Sequence, residues 1–95
     1  VADDVLAYIV DLARATRSAP SVELGASPRA SAALLAAAKA WAWLSGSAAV
    51  TPDHVQAMLT PVWRHRISLR PDAQMEGVSA DTVLAAIVRQ TAVPI

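Results

Sequence analysis

The sequence has no cysteine and no phenylalanine, only three glycines, and no excess of either charge, since eight basic residues balance eight acidic ones. Without cysteine there is no disulfide framework and no thiolate chemistry, and the cellular compartment stays open. Zero net charge argues against a bulk electrostatic reader of nucleic acid, whose affinity comes from neutralising phosphates. Gly25, Gly46 and Gly77 each stand alone, so there is no glycine-rich phosphate loop. The two histidines, His54 and His65, occur without CxxC or HExxH spacing and suggest no metal site. Asp3/Asp4 and Asp72/Glu76 fit helix-end and loop charges better than a catalytic dyad. The richest apolar stretch, 30–44, is interrupted by Lys39 and falls short of the roughly 20 residues a membrane span needs. The chain therefore carries no hydrolytic machinery of its own.

What is present is a 95-residue chain, 55% hydrophobic and 4% aromatic, rich in alanine, with seven arginines to one lysine. That is one domain with a modest core; its alanine and arginine content suggests a GC-rich bacterial genome. The first residue is Val1, and Asp3 and Asp4 follow as a helix start would, so the chain is expected to be a piece of a longer one.

Helical periodicity marks four main segments. The first runs from about Asp4 to Arg17 and aligns Val5, Tyr8, Ile9, Leu12 and Thr16 on one face. Its acidic start and basic end (Arg14, Arg17) suit the helix dipole. Pro20 and Gly25 break the pattern, and Val22–Leu24 forms a short extended piece that could pair with 67–69. Ser27 and Pro28 start a second helix that runs to about Ser45, where Gly46 stops it. On this central helix Leu34, Ala38, Trp41 and Ser45 share the expected inner stripe, and Ala30, Ala33 and Ala37 permit close approach of a neighbour. Trp41 should be buried and Trp43 partly exposed.

Thr51-Pro52 starts a third helix, with Val55, Met58, Leu59 and Val62 inward. Pro61 lacks the N–H that would reach Ala57, which predicts an interruption near 59–61. His54, at the third helical residue, is expected to be solvated. Residues 67–77 should be loop or extended, and Ser79 caps a last helix carrying Val83, Leu84, Ile87 and Val88. The fold class is all-α: a small helical bundle of four main helices, interrupted near Pro61, with at most a minimal strand pairing.

Arg64-His65-Arg66 is a small basic cluster at a helix end, where cations belong. Arg29 is different. It lies in the first turn of the helix capped by Ser27, where the dipole already attracts anions, so a cation is locally wrong by about 0.3–1 kcal/mol. A residue that breaks a local rule is a candidate for function. Free N–H groups beside a planar guanidinium make an anion clamp able to grip phosphate bidentately. The bland alternative is a surface ion pair between Arg29 and Glu23, worth under about 1 kcal/mol.

GASPRA at 25–30, following VEL at 22–24, resembles the sensor-2 element of MoxR-family AAA+ ATPases. LAYIVDLARATRS at 6–18 is similar to that family's first lid helix and VTPDHVQAML at 50–59 to its third. VWRHRISL at 62–69 resembles the segment that follows and EGVSADTVLAAIV at 76–88 the final helix. Magnesium-chelatase-type ATPases are the nearest confusable relatives.

The resemblance implies that residues 1–95 are a single helical lid following a larger nucleotide-binding α/β core. It implies a cytoplasmic, ring-forming remodelling ATPase that uses ATP with Mg2+, often beside proteins with von Willebrand factor A domains. Arg29 would be the sensor-2 arginine that contacts nucleotide phosphate, with Ser27 and Pro28 starting its helix. Two other classes compete: a stand-alone helical protein-interaction module, and a small DNA-binding domain, which zero net charge disfavours.

Overall fold

The structure, a computed structural model, describes residues 1–94. Its elements follow in order: α1 (Asp3–Ser18), β1 (Val22–Leu24), α2 (Pro28–Leu44), α3 (Pro52–Trp63), β2 (Ser68–Leu69), α4 (Pro71–Met75) and α5 (Ala80–Gln90). The chain is thus all-α apart from one antiparallel pair, with Val22 opposite Leu69 and Leu24 opposite Ser68. Among the described residues no helix is long and apolar enough to cross a membrane.

The inner face of α1 is the expected one, with Val5, Tyr8, Ile9, Leu12 and Thr16 all buried. These residues meet Leu34 of α2, Val55, Leu59 and Trp63 of α3, and Val83, Leu84 and Ile87 of α5 in one core. Helices α2 and α3 share the most extensive contact, and α1 and α5 close the other side. Between α1 and α3, Gln56 Nε2 donates to the Tyr8 hydroxyl at 2.9 Å.

Gly46, at φ 75°, ends α2 as expected. Gly46 N–H returns to Trp43 O and Ser47 N–H to Ala42 O, the two bonds that satisfy the carbonyls of a helix closed by a left-handed residue.

Three expectations are corrected. The helix does not break at Pro61: α3 is continuous from Pro52 to Trp63, and Arg64 N–H donates to Thr60 O at 2.9 Å beyond the proline. A mid-helix proline costs about 3 kcal/mol. Burial of Val55 and Leu59 before it and Trp63 after it, each with no exposed surface, holds the helix together across the lost bond.

Trp41 is not buried. It is 44% exposed and Trp43 79%, so their order is as expected but neither is a core residue. The buried stripe is Ala30, Leu34, Ala38 and Ala42, a run of i+4 steps that puts alanine, not tryptophan, on the inner face at position 42.

The 67–77 segment is not all loop or strand, because Pro71–Met75 forms a single helical turn-and-a-half. Pro71 at its first position and Asp72 in its first turn favour helix, and Gly77, at φ 85°, stops it.

Candidate functional site

The site expected from sequence is the start of α2. Ser27 is its N-cap and accepts a hydrogen bond from Ala30 N–H at 3.1 Å; Pro28 occupies the first helical position. Pro28 has no N–H, and Ser31 N–H is taken by Ser27 O. Arg29 N–H is therefore the amide this first turn leaves open, rather than the several free donors expected. The Arg29 side chain is exposed. Among the described residues the ion pairs are Arg64–Asp81 and Arg70–Asp72, so the alternative pairing of Arg29 with Glu23 does not form.

Three attachments fix this helix start, and sequence periodicity alone did not assign them. Thr16, fully buried at the end of α1, donates from Oγ1 to Ala13 O at 2.6 Å and accepts from Ala26 N–H at 2.9 Å. Arg17 Nε donates to Ala26 O at 3.1 Å, so both backbone groups of Ala26 are held by consecutive residues of α1. Trp63 Nε1, fully buried, donates to Ala30 O at 2.8 Å from the end of α3.

Gly25 permits the first two contacts. A Cβ there would lie 2.7 Å from Arg17 Cγ and 2.8 Å from Arg17 Cα and N, closer than such atoms approach, so only glycine lets the loop lie against α1. Its small neighbours Ala26 and Ala30 are both buried. GASPRA thus has a structural logic: glycine for close approach, alanine for burial, serine and proline to start the helix, and arginine left outside.

The basic run 64–66 divides by role. Arg64 makes a bidentate pair with Asp81, Nε to Oδ1 at 2.9 Å and Nη2 to Oδ2 at 2.8 Å, joining the end of α3 to the first turn of α5. His65 and Arg66 line an open depression of about 550 Å³ with Ala33, Pro61 and Val62. His54 is not simply solvated: its Nδ1 accepts the Thr51 N–H at 3.0 Å, closing one arm of a capping box at the start of α3. No group of three or more histidine, aspartate or glutamate side chains able to hold a metal is found among the described residues.

A family model for the AAA lid domain matches residues 14–87, from the end of α1 into α5, and includes Thr16, Arg17, Ala26, Ala30 and Trp63 around Arg29. This chain belongs to the AAA lid domain family. Within it the chain is of the MoxR type. It is 40% identical over 93 residues to the uncharacterised protein YeaC of Bacillus subtilis, covering 98% of this chain and 29% of that protein. The protein MoxR of Paracoccus denitrificans is 42% identical over 77 residues, covering 67% of this chain and 23% of that protein. The chaperone MoxR1 of Mycobacterium tuberculosis is 37% identical over 73 residues, covering 77% and 19%. A crystal structure of a candidate ATPase from Cytophaga hutchinsonii superposes with a TM-score of 0.91 at 27% identity, over 99% of this lid and 31% of that chain. The lid thus spans less than a third of the length of the relatives it matches.

Proposed function

We propose that this lid senses nucleotide in a MoxR-type AAA+ ATPase, with Arg29 as the residue that contacts ATP phosphate. The observation that carries the reading is an exposed arginine, without an ion-pair partner among the described residues, on a helix start held rigidly by Thr16, Arg17 and Trp63. A guanidinium mounted in this way offers a planar fork to phosphate with its backbone already fixed, so less freedom is lost on contact. The helix dipole and the open Arg29 N–H add to the attraction for an anion.

In this reading an α/β core on the same polypeptide binds ATP with Mg2+ and supplies the hydrolytic groups. Loss of the γ-phosphate removes the ligand of Arg29 and frees the lid to move relative to the core. In a ring of subunits that movement drives chaperone-like remodelling, a role supported by the naming of one relative as a chaperone. Proteins with von Willebrand factor A domains are the partners this family resemblance favours, and the cytoplasm is the compartment.

The test uses the lid joined to its core. Arg29→Ala should lower ATP turnover about tenfold or more, while the melt of the protein moves by no more than about 0.5 kcal/mol, as for an exposed first-turn side chain. Arg29→Lys should restore turnover only in part, because lysine keeps the charge and loses the fork. Wild-type turnover in the alanine variant with an unchanged melt would exclude the sensor role.

A further inference from the structure

Arg29 and Arg66 are attached to opposite ends of one buried hydrogen bond. Trp63 Nε1 donates to Ala30 O at 2.8 Å; Arg29 immediately precedes Ala30, and Arg66 closes the turn after Trp63 by donating its N–H to Trp63 O at 2.9 Å. The two arginines, 37 positions apart in the chain, therefore share one rigid frame.

The surface beside Arg66 is concave. The depression of about 550 Å³ is lined by Ala33, Pro61, Val62, His65 and Arg66. Ala33 lies four residues after Arg29 on the same stripe of α2, about 6 Å along the helix axis. Arg29 thus stands one turn above the wall of the depression that Arg66 borders. No carboxylate lines it.

The neighbouring arginines differ in one respect. Arg64 is neutralised by Asp81, Arg70 lies 3.7 Å from Asp72, and Arg17 is spent on Ala26 O. Arg66 is exposed and makes no side-chain hydrogen bond or ion pair among the described residues, and the same is true of Arg29. One uncompensated guanidinium, that of Arg66, lines an open concavity with a histidine ring in its wall, and the other, that of Arg29, belongs to a residue one helical turn before Ala33 of the same wall. That arrangement suits a ligand bearing several negative charges, because added phosphate oxygens can meet a second unspent guanidinium.

We propose that Arg66 is a second phosphate-contacting residue of the lid, acting with Arg29 on the same polyphosphate, and that the Ala33–Pro61–Val62 depression seats that end of the nucleotide. This rests on the sensor reading of Arg29 and extends it to a residue on a different helix end. Arg64, within the same RHR run, has the structural role instead.

The experiment measures affinity for a fluorescent ATP analogue, with a thermal melt, in the lid joined to its core. Arg66→Ala should weaken binding about tenfold, the worth of one charged hydrogen bond, with an unchanged melt, and Arg66→Lys should recover part of the loss. Arg64→Ala should leave affinity unchanged. Affinity for the adenosine analogue lacking phosphates should be the same in wild type and Arg66→Ala, because the lost contact is to phosphate.

Wild-type ATP affinity in Arg66→Ala overturns the proposal. If that variant also fails to assemble, the depression holds a carboxylate from a neighbouring protein surface, which equally overturns it. Should the alanine variant melt early, Arg66→Gln, which keeps most of the stem, is read in its place by the same criteria. The Arg29 reading fails separately: it falls if Arg29→Ala keeps wild-type turnover, and it stands if Arg29→Ala is impaired while Arg66→Ala is silent.

Discussion

Trp63 and Ala30, 33 residues apart, are joined by a buried hydrogen bond of 2.8 Å from the indole Nε1 to the backbone carbonyl. Ala30 O is in the first turn of α2, so the end of α3 holds the helix start that carries Arg29. Trp63→Phe keeps an aromatic ring in the same space and removes the donor. It should cost about 1–2 kcal/mol, and Trp63→Ala, which also opens a cavity, about 3–5 kcal/mol. Urea denaturation of the lid separates the two. Equal losses for both variants would mean that the hydrogen bond carries all of the effect and ring volume none.

Among the described residues Thr16 is the one buried polar residue of the core, and its hydroxyl is used twice, toward Ala13 O and from Ala26 N–H. Thr16→Val preserves shape and strands the Ala26 amide away from water. The expected loss is about 1–3 kcal/mol. Thr16→Ser, which keeps the hydroxyl, should lose less. Amide exchange at Ala26 is the local check: it should speed up in the valine variant and stay slow in the serine variant.

Gly25→Ala tests the close approach of the GASPRA loop to α1. Because the added Cβ meets Arg17 Cα and N, backbone has to move rather than a flexible side-chain tip. The variant should be destabilised by about 1–3 kcal/mol and should lose the Arg17–Ala26 contact, visible as a shifted Arg17 Nε resonance. An unchanged melt and resonance would show that the loop gives way freely, and the helix start would then be less rigid than its hydrogen bonds imply.

His54 gives a cap prediction with a built-in control. Its Nδ1 accepts from Thr51 N–H at 3.0 Å. A glutamine at this third helical position reaches back to the same amide, so His54→Gln should be close to neutral, while His54→Ala should cost about 0.5–1 kcal/mol. If the glutamine variant melts as low as the alanine variant, the ring contributes by packing rather than by capping.

Local rules in the sequence located most of this fold. The starts of α2, α3 and α5 follow from cap residues, with proline at the first position of α2 and α3; that of α1 follows from its acidic first turn, and its face from a clean 3.6-residue period. The face of α2 was harder to assign because its apolar residues run all the way round: alanine fits either side, and the two tryptophans attract the inner position by size. Only the packing of the folded chain chooses Ala42 over Trp41.

At the site, Arg29 stood out because a cation at a helix start violates the dipole. Its supports did not stand out, since Thr16, Arg17 and Trp63 lie 13, 12 and 34 positions away in the chain and act through backbone groups of alanines, which carry no side-chain signal. The i+4 run of Val55, Leu59 and Trp63 could have revealed Trp63, but the break expected at Pro61 cut that run in two.

Pro61 is the residue whose presence costs the fold most plainly. It sits inside α3 without an N–H for Ala57 O, is itself exposed, and borders the depression beside Arg66. Pro61→Ala restores a helical hydrogen bond and a good helix former. Against the roughly 3 kcal/mol penalty of an interior proline stands the lower entropy of the unfolded chain with proline, about 0.4–1 kcal/mol. The net expectation is stabilisation by about 2–2.6 kcal/mol, which in a lid of this size raises the melting temperature by about 8–21 °C. Stability given up beside a candidate binding surface is what a functional constraint on Pro61 would produce, so the stabilised variant, joined to its core, should bind the ATP analogue more weakly than wild type. A lower melting temperature would instead show that the pyrrolidine ring packs favourably against Ala33 and Val62, and the proline would then need no functional explanation.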